Sequence, residues 1–220
     1  MENLQENESI KRGLETLEKI FNKEGINYRV LGSVLVAALN ERPHRTLGDI
    51  DILLDKSNWQ QVANNLKKAG YQLINKSKVG FNWFEAHKKD GLGFTFLLIG
   101  KFQDDYFEYE LNNNLKLRIA IPYLYPTKYS LFGYSFTGIP RRSVYEGLKV
   151  SSLNPKRKLD REIVTKALGG EIPTGVKLER AFNIYFLGMK IPYAYSFFSY
   201  LYNLYGGLRV IFGKKYEVWD

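Results

Sequence analysis

The sequence predicts an α/β protein: a small mixed, twisted sheet flanked by helices, followed by a helical C-terminal region. Three observations predict it. Helix-spaced and strand-like apolar patterns alternate from Ile10 to Asn75. The dipeptide Asp90-Gly91 separates two β-rich runs, the local signature of a hairpin. Beyond residue 141 the pattern turns to helical spacing. The expected organisation is therefore one domain over residues 1–140 and a helical region over residues 141–220, basic at first and then aromatic-rich.

Each element has its own reason. In residues 8–24, Ile10, Leu14, Leu17, Ile20 and Phe21 recur at three- and four-residue steps, and Gly25 closes the helix. Residues 28–31 form a short strand broken by Gly32-Ser33. Residues 34–39 restart as a helix whose first turn Ser33 can cap. Residues 40–48 are a polar loop, and residues 49–54 a strand in which acids and aliphatics alternate at first. A helix over residues 58–69 stops at Gly70, and residues 71–74 make a brief strand. Residues 81–87 and 92–99 are the two arms of the hairpin, and residues 106–109 and 115–121 add edge strands. Helices are expected over residues 143–150, 161–168, 176–187 and 193–205.

The chemistry concentrates in residues 28–55. A strand ends at Gly-Ser, a helix leaves it, and the next strand carries Asp49-Ile50-Asp51. Alternation places Asp49 and Asp51 on one face, about 7 Å apart along the strand. Two carboxylates so placed suit a hard divalent cation, with water and phosphate oxygens completing its shell. Gly32 lets a phosphate approach the backbone, Ser33 offers a hydroxyl, and the amides opening the helix point the same way. This is the chemistry of a metal–triphosphate site.

Gly32-Ser33 followed by Arg45-Thr46-Leu47-Gly48-Asp49-Ile50-Asp51 resembles the signature of the DNA polymerase beta-like nucleotidyltransferase superfamily. The likeness is to its small bacterial and archaeal members, including aminoglycoside- and lincosamide-type nucleotidyltransferases and abortive-infection toxins. It is strongest over residues 10–75. The resemblance implies a nucleotidyltransferase fold and Mg²⁺- or Mn²⁺-dependent transfer of a nucleoside monophosphate from an NTP. It implies that Asp49 and Asp51 hold the metal, and that Gly32, Ser33, Arg45, Thr46, Lys149 and Lys158 contact the nucleotide. One departure stands out. The superfamily supplies a third carboxylate from a later strand, resembling a general base, and the matching position here is Thr95. Glu85 on the neighbouring strand is the leading substitute for a catalytic role, since Trp83, Glu85 and His87 share a face; Asp104 and Asp105 are others. The alternative is a degenerate fold that binds nucleotide, RNA or a protein partner without catalysis.

Composition bounds the rest. The chain has 220 residues, 45% of them hydrophobic and 25% charged, the balance of a globular protein with a packed core. The absence of cysteine excludes disulfide scaffolds, thiol catalysis and iron–sulfur clusters, and two histidines make a zinc site a poor fit. The charged start, from Met1 to Ile20, does not read as a signal peptide and no apolar run reaches spanning length, so a cytoplasmic protein is expected. Net charge is +9, with +5 concentrated between Arg141 and Leu168, which favours an anionic acceptor such as an RNA end over a cationic antibiotic. A toxin–antitoxin role that modifies RNA and a small-molecule acceptor both remain open. His44 reads as a solvated loop residue, and His87 as part of a charged turn beside Lys88 and Lys89. Thirteen aromatic residues lie between Phe182 and Trp219, which suggests packing on the body of the protein, a homodimer contact or a peripheral membrane contact.

Overall fold

A computed structural model describes residues 2–77, 82–88, 93–100, 106–112, 114–148, 155–170 and 182–191. The first helix, α1 (Glu2–Thr16), continues through a π-helical turn, Leu17–Asn22. Next come β1 (Tyr28–Val30), α2 (Gly32–Leu39), β2 (Ile50–Asp55), α3 (Trp59–Lys68) and β3 (Gln72–Asn75). The hairpin strands are β4 (Trp83–His87) and β5 (Gly93–Ile99), and β6 (Tyr106–Asn112) and β7 (Leu115–Ala120) follow. After these come β8 (Thr127–Leu131), β9 (Tyr134–Gly138), α4 (Arg141–Leu148), α5 (Pro155–Ala167), β10 (Phe182–Phe186) and β11 (Met189–Ile191).

Among the described residues two sheets form: a seven-stranded one ordered β3-β4-β5-β2-β1-β9-β8 and a four-stranded one ordered β11-β10-β7-β6. The larger sheet is mixed, since β2 runs parallel to β5 and antiparallel to β1, and β1 runs parallel to β9. The predicted α/β class is the observed one.

The core explains the register. Ile50, Ile52 and Leu54 of β2 and Phe94, Phe96 and Leu98 of β5 are all buried. On that face Phe21 lies parallel to Phe96 at 6.2 Å between ring centroids, and Tyr71 meets Phe94 at 5.4 Å. From α3, Trp59 meets Phe84 at 4.3 Å and Phe96 at 5.5 Å. The alternate residues must then point to the opposite face, because side chains on a strand have a period of two. Those residues are Asp51, Thr95 and Glu85. Helix α2 is apolar along most of its length because it packs against β2 and β8 and against α4 and α5.

Three readings change. Residues 182–187, expected as the end of a helix, form β10 and its turn. The run Phe182-Asn183-Ile184-Tyr185-Phe186 is strand-forming in composition and pairs antiparallel with β7. Leu187 and Gly188, at φ 49° and 79°, supply the turn that brings β11 back. The region beyond residue 141 is thus not wholly helical. Strands β8 and β9, joined at Phe132-Gly133 with φ 53° and 85°, belong to the main sheet although no Asn-Gly or Asp-Gly marks them. The aromatic run at 193–205, with the homodimer and membrane contacts expected of it, lies outside the described residues, as does Asp90-Gly91. No helix among the described residues is long and apolar enough to cross a membrane.

Phe96 is fully buried between Phe21 and Trp59. Phe96→Ala is expected to lower unfolding free energy by about 3–5 kcal/mol, read from urea denaturation.

Candidate functional site

Strand β1 delivers the chain to a sharp turn at Gly32. This residue has φ 68°, and a Cβ there would overlap Asp51 Oδ2. Glycine is required on both counts: the left-handed backbone and the close approach of a carboxylate. The Leu31 amide donates to the Asp51 carbonyl at 2.8 Å, which ties the turn to β2. Ser33, buried, follows in the first turn of α2. The Gly-Ser turn and the Asp-x-Asp strand, separated in sequence by α2 and the polar loop, therefore meet in space.

Across the sheet, Asp51 stands opposite Thr95, and Thr95 stands opposite Glu85. The three share one face, one per strand. The Thr95 hydroxyl donates to Asp49 Oδ2. Threonine thus occupies the place next to the acid pair and binds one of its members, as its predicted register requires. Glu85 is two strands from Asp51, about 10 Å at the usual strand spacing. Its Oε2 accepts from His87 Nε2 at 3.0 Å and lies 3.7 Å from Lys76 Nζ. Among the described residues no three His, Cys, Asp or Glu side chains gather as a metal-ligand group, so Glu85 does not join Asp49 and Asp51 in this geometry.

The loop before Asp49 is anchored from a distance. His44 Nε2–H donates to Asp160 Oδ1 at 2.6 Å; the two side chains are 6% and 0% exposed. Arg45 donates from Nε to Oδ1 and from Nη2 to Oδ2, both at 3.3 Å, and from Nη1 to the Thr46 carbonyl at 3.1 Å. Arg157, one turn before Asp160 on α5, brings Nη1 to 3.8 Å of Oδ2. Burial alone pushes the Asp160 carboxyl upward, but the hydrogen bonds and charges of His44 and Arg45 outweigh it and hold the carboxyl below its ordinary value. Two readings shift accordingly. His44 is buried on a carboxylate rather than solvated. Arg45, expected at the nucleotide, points its guanidinium inward to Asp160.

The remaining candidates scatter. Thr46 is exposed in the loop. Lys158 is exposed and lines an open groove with Tyr145, Arg161, Glu162 and Lys166. It sits two positions before Asp160 and so faces away from the loop cluster. Lys149, Asp104 and Asp105 lie outside the described residues. Asp160 is the residue that sequence reasoning missed. The one signal was an acid inside a basic helix, Lys156-Arg157-Lys158-x-Asp160-Arg161, with no spacing rule to link it to residue 44.

What the arrangement offers chemically is an all-oxygen pair of carboxylates beside a glycine turn and a helix start. That donor set fits a hard divalent cation whose other positions are filled by phosphate and water.

The sequence model of a family described as uncharacterised nucleotidyltransferase matches residues 1–119. That span holds Gly32, Ser33, Asp49, Asp51, Glu85 and Thr95 and ends before Asp160. Among solved structures, the chain is similar to the lincosamide antibiotic adenylyltransferase LnuA with lincomycin bound. The match has TM-score 0.59 and 16% identity, and covers 71% of this chain and 96% of that one. It is also similar to ANT(2")-Ia in complex with adenylyl-2"-tobramycin, with TM-score 0.53, 11% identity and coverage of 71% and 87%. The solution structure of that antibiotic-resistance factor covers 91% of this chain and 94% of its own, at TM-score 0.54 and 10% identity. At these identities the likeness is one of fold. No protein of curated function matches the sequence.

Two outcomes follow from the geometry. Gly32→Ala forces a Cβ into the Asp51 carboxylate at positive φ and is expected to cost about 1–3 kcal/mol, read from denaturation. The lowered Asp160 carboxyl adds stability above its unfolded-state pKa, near 3.8, and loses it as pH falls through the lower folded value. Asp160→Asn is therefore expected to flatten the acid limb of stability below about pH 4, measured by urea titration at stepped pH.

Proposed function

We propose that this chain, which belongs to the family of uncharacterised nucleotidyltransferases, moves a nucleoside monophosphate from an NTP to an acceptor hydroxyl. The observation that carries the reading is the meeting of Gly32 and Asp51, with Asp49 on the same face. Asp49 and Asp51 would hold a Mg²⁺ or Mn²⁺ ion, whose positive charge would offset that of the triphosphate. Gly32 and Ser33 receive phosphate oxygens at the start of α2. In the reaction the acceptor oxygen forms a bond to the α-phosphorus, the bond from that phosphorus to the β-bridging oxygen breaks, and pyrophosphate leaves. The acceptor proton needs a base. Glu85 is the carboxylate on the correct face, one strand beyond Thr95, and His87 and Lys76 orient it. The net charge of +9 favours an anionic acceptor, an RNA end among them, over a cationic one. The lincosamide and tobramycin chemistry of the structural neighbours leaves a small-molecule acceptor as the other possibility.

The second reading is a protein that binds nucleotide without transferring it. Thr95 favours it, since an uncharged residue hydrogen-bonded to Asp49 stands where the superfamily places an acid.

Calorimetry with a panel of NTPs, with and without Mg²⁺, tests the site. Metal-dependent binding by the wild type and at least a tenfold loss in Asp51→Asn are expected. A folded wild type that binds no NTP defeats the transfer reading. Glu85→Gln separates the two readings once an acceptor is found: a base at Glu85 predicts a fall in kcat of about 10²–10⁴ with NTP affinity unchanged, and an unchanged kcat assigns Glu85 to its ion pairs alone.

A further inference from the structure

Asp160 is fully buried, and three basic residues converge on its carboxylate: His44, Arg45 and Arg157. Two of those are consecutive residues of the loop that precedes the acid pair, 116 and 115 positions away in sequence. Both stand just before Asp49. A buried carboxylate is costly unless its lone pairs are filled, and here both oxygens are engaged. Arginine brings a planar, two-pronged contact that fixes direction as well as distance. Its third contact, Nη1 to the Thr46 carbonyl, carries that constraint into the loop backbone.

Apolar anchoring of the loop is sparse. Residues 41, 42, 46 and 48 are exposed, and Leu47 is the one loop residue from 41 to 48 packed in the core. Helix α5, which carries Asp160, also packs on α2, whose first turn holds Gly32 and Ser33. One helix therefore supports both walls of the candidate site: α2 by apolar packing and the acid-bearing loop by a carboxylate.

We infer that Asp160 is a positioning residue for the Asp49–Asp51 pair, clamping from α5 the His44-Arg45 loop that delivers both carboxylates. The inference rests on the transfer reading above and adds a residue from outside the matched span 1–119. It assigns Asp160 no contact with substrate. Its effect is to restrict the two carboxylates to the narrow range of positions that a cation and a triphosphate demand. Loss of the clamp leaves the Gly32-Ser33 turn in place, so phosphate contacts made without metal survive and the metal-dependent increment does not.

The test uses the full chain as wild type, Asp160→Asn, His44→Ala and the double variant. His44→Ala opens the same clamp from the loop side, should Asp160→Asn fail to fold. Hydrogen exchange is expected to quicken over residues 41–49 in each variant, with α1 and β9 unchanged, and the double variant is expected to be little worse than either single one. By calorimetry with ATP or the NTP that binds best, the Mg²⁺-dependent gain in affinity should fall at least tenfold, while affinity without Mg²⁺ stays within twofold of wild type. Unchanged exchange over residues 41–49 in a folded variant overturns the inference. So does a uniform quickening across the whole chain, which marks Asp160 as a residue of general stability only. Loss of affinity with and without Mg²⁺ alike overturns it too. A wild type that binds no NTP defeats the transfer reading, and the exchange measurement still decides the clamp.

Discussion

The aromatic packing beneath the main sheet is the constraint from which the site follows. Phe21, Trp59 and Tyr71 cover one face of β2, β5 and β4, and Phe94 and Phe96 are fixed against them. A strand has only two faces, so burying Ile50, Ile52 and Leu54 fixes where Asp51 points. A slip of one residue would send the carboxylate into that core and an isoleucine to the outer face. The row Asp51, Thr95, Glu85 is the complement of the aromatic layer, read off the other side of the same three strands.

Apolar packing cannot orient a loop, and the loop between α2 and β2 is where charge takes over. Its anchor is ionic: a carboxylate with no exposed surface, held by an imidazole, a guanidinium and a second arginine nearby. Apolar replacements of such a cluster are often as stable or more so. What the ionic version adds is direction, because hydrogen bonds to a carboxylate lie near its plane and at set distances. The protein thus uses a non-directional force to set the sheet and a directional one to set the loop.

Much of this was legible in the sequence where spacing is local. The Gly-Ser turn and the alternation of Asp49 and Asp51 depend on near neighbours in the chain; the contacts of Gly32 with Asp51 and of Thr95 with Asp49 come from the fold. Arg45 was legible as important but not in its direction, since nothing near residue 45 reveals Asp160. His44 looked solvated for the same reason: its partner is 116 residues away. The misreading of residues 182–187 as the end of a helix has a different cause. A short run of aromatic and aliphatic residues carries no periodicity of its own, and β10 exists because β7 offers it an edge.

The clamp also has a place in time. Chain growth proceeds from the N-terminus, and domains take shape as their residues emerge. By residue 138 the growing polypeptide contains every strand of the seven-stranded sheet, both acids and the glycine turn. The carboxylate that fastens the loop is still to be translated, and so is β10, the second strand to pair with β7. If the sheet forms as its strands emerge, the nascent chain would pass through an interval in which Asp51 is set in the sheet but the loop before it is unfastened. Completion of α5 would end that interval, so that a helix made late would finish a loop made early.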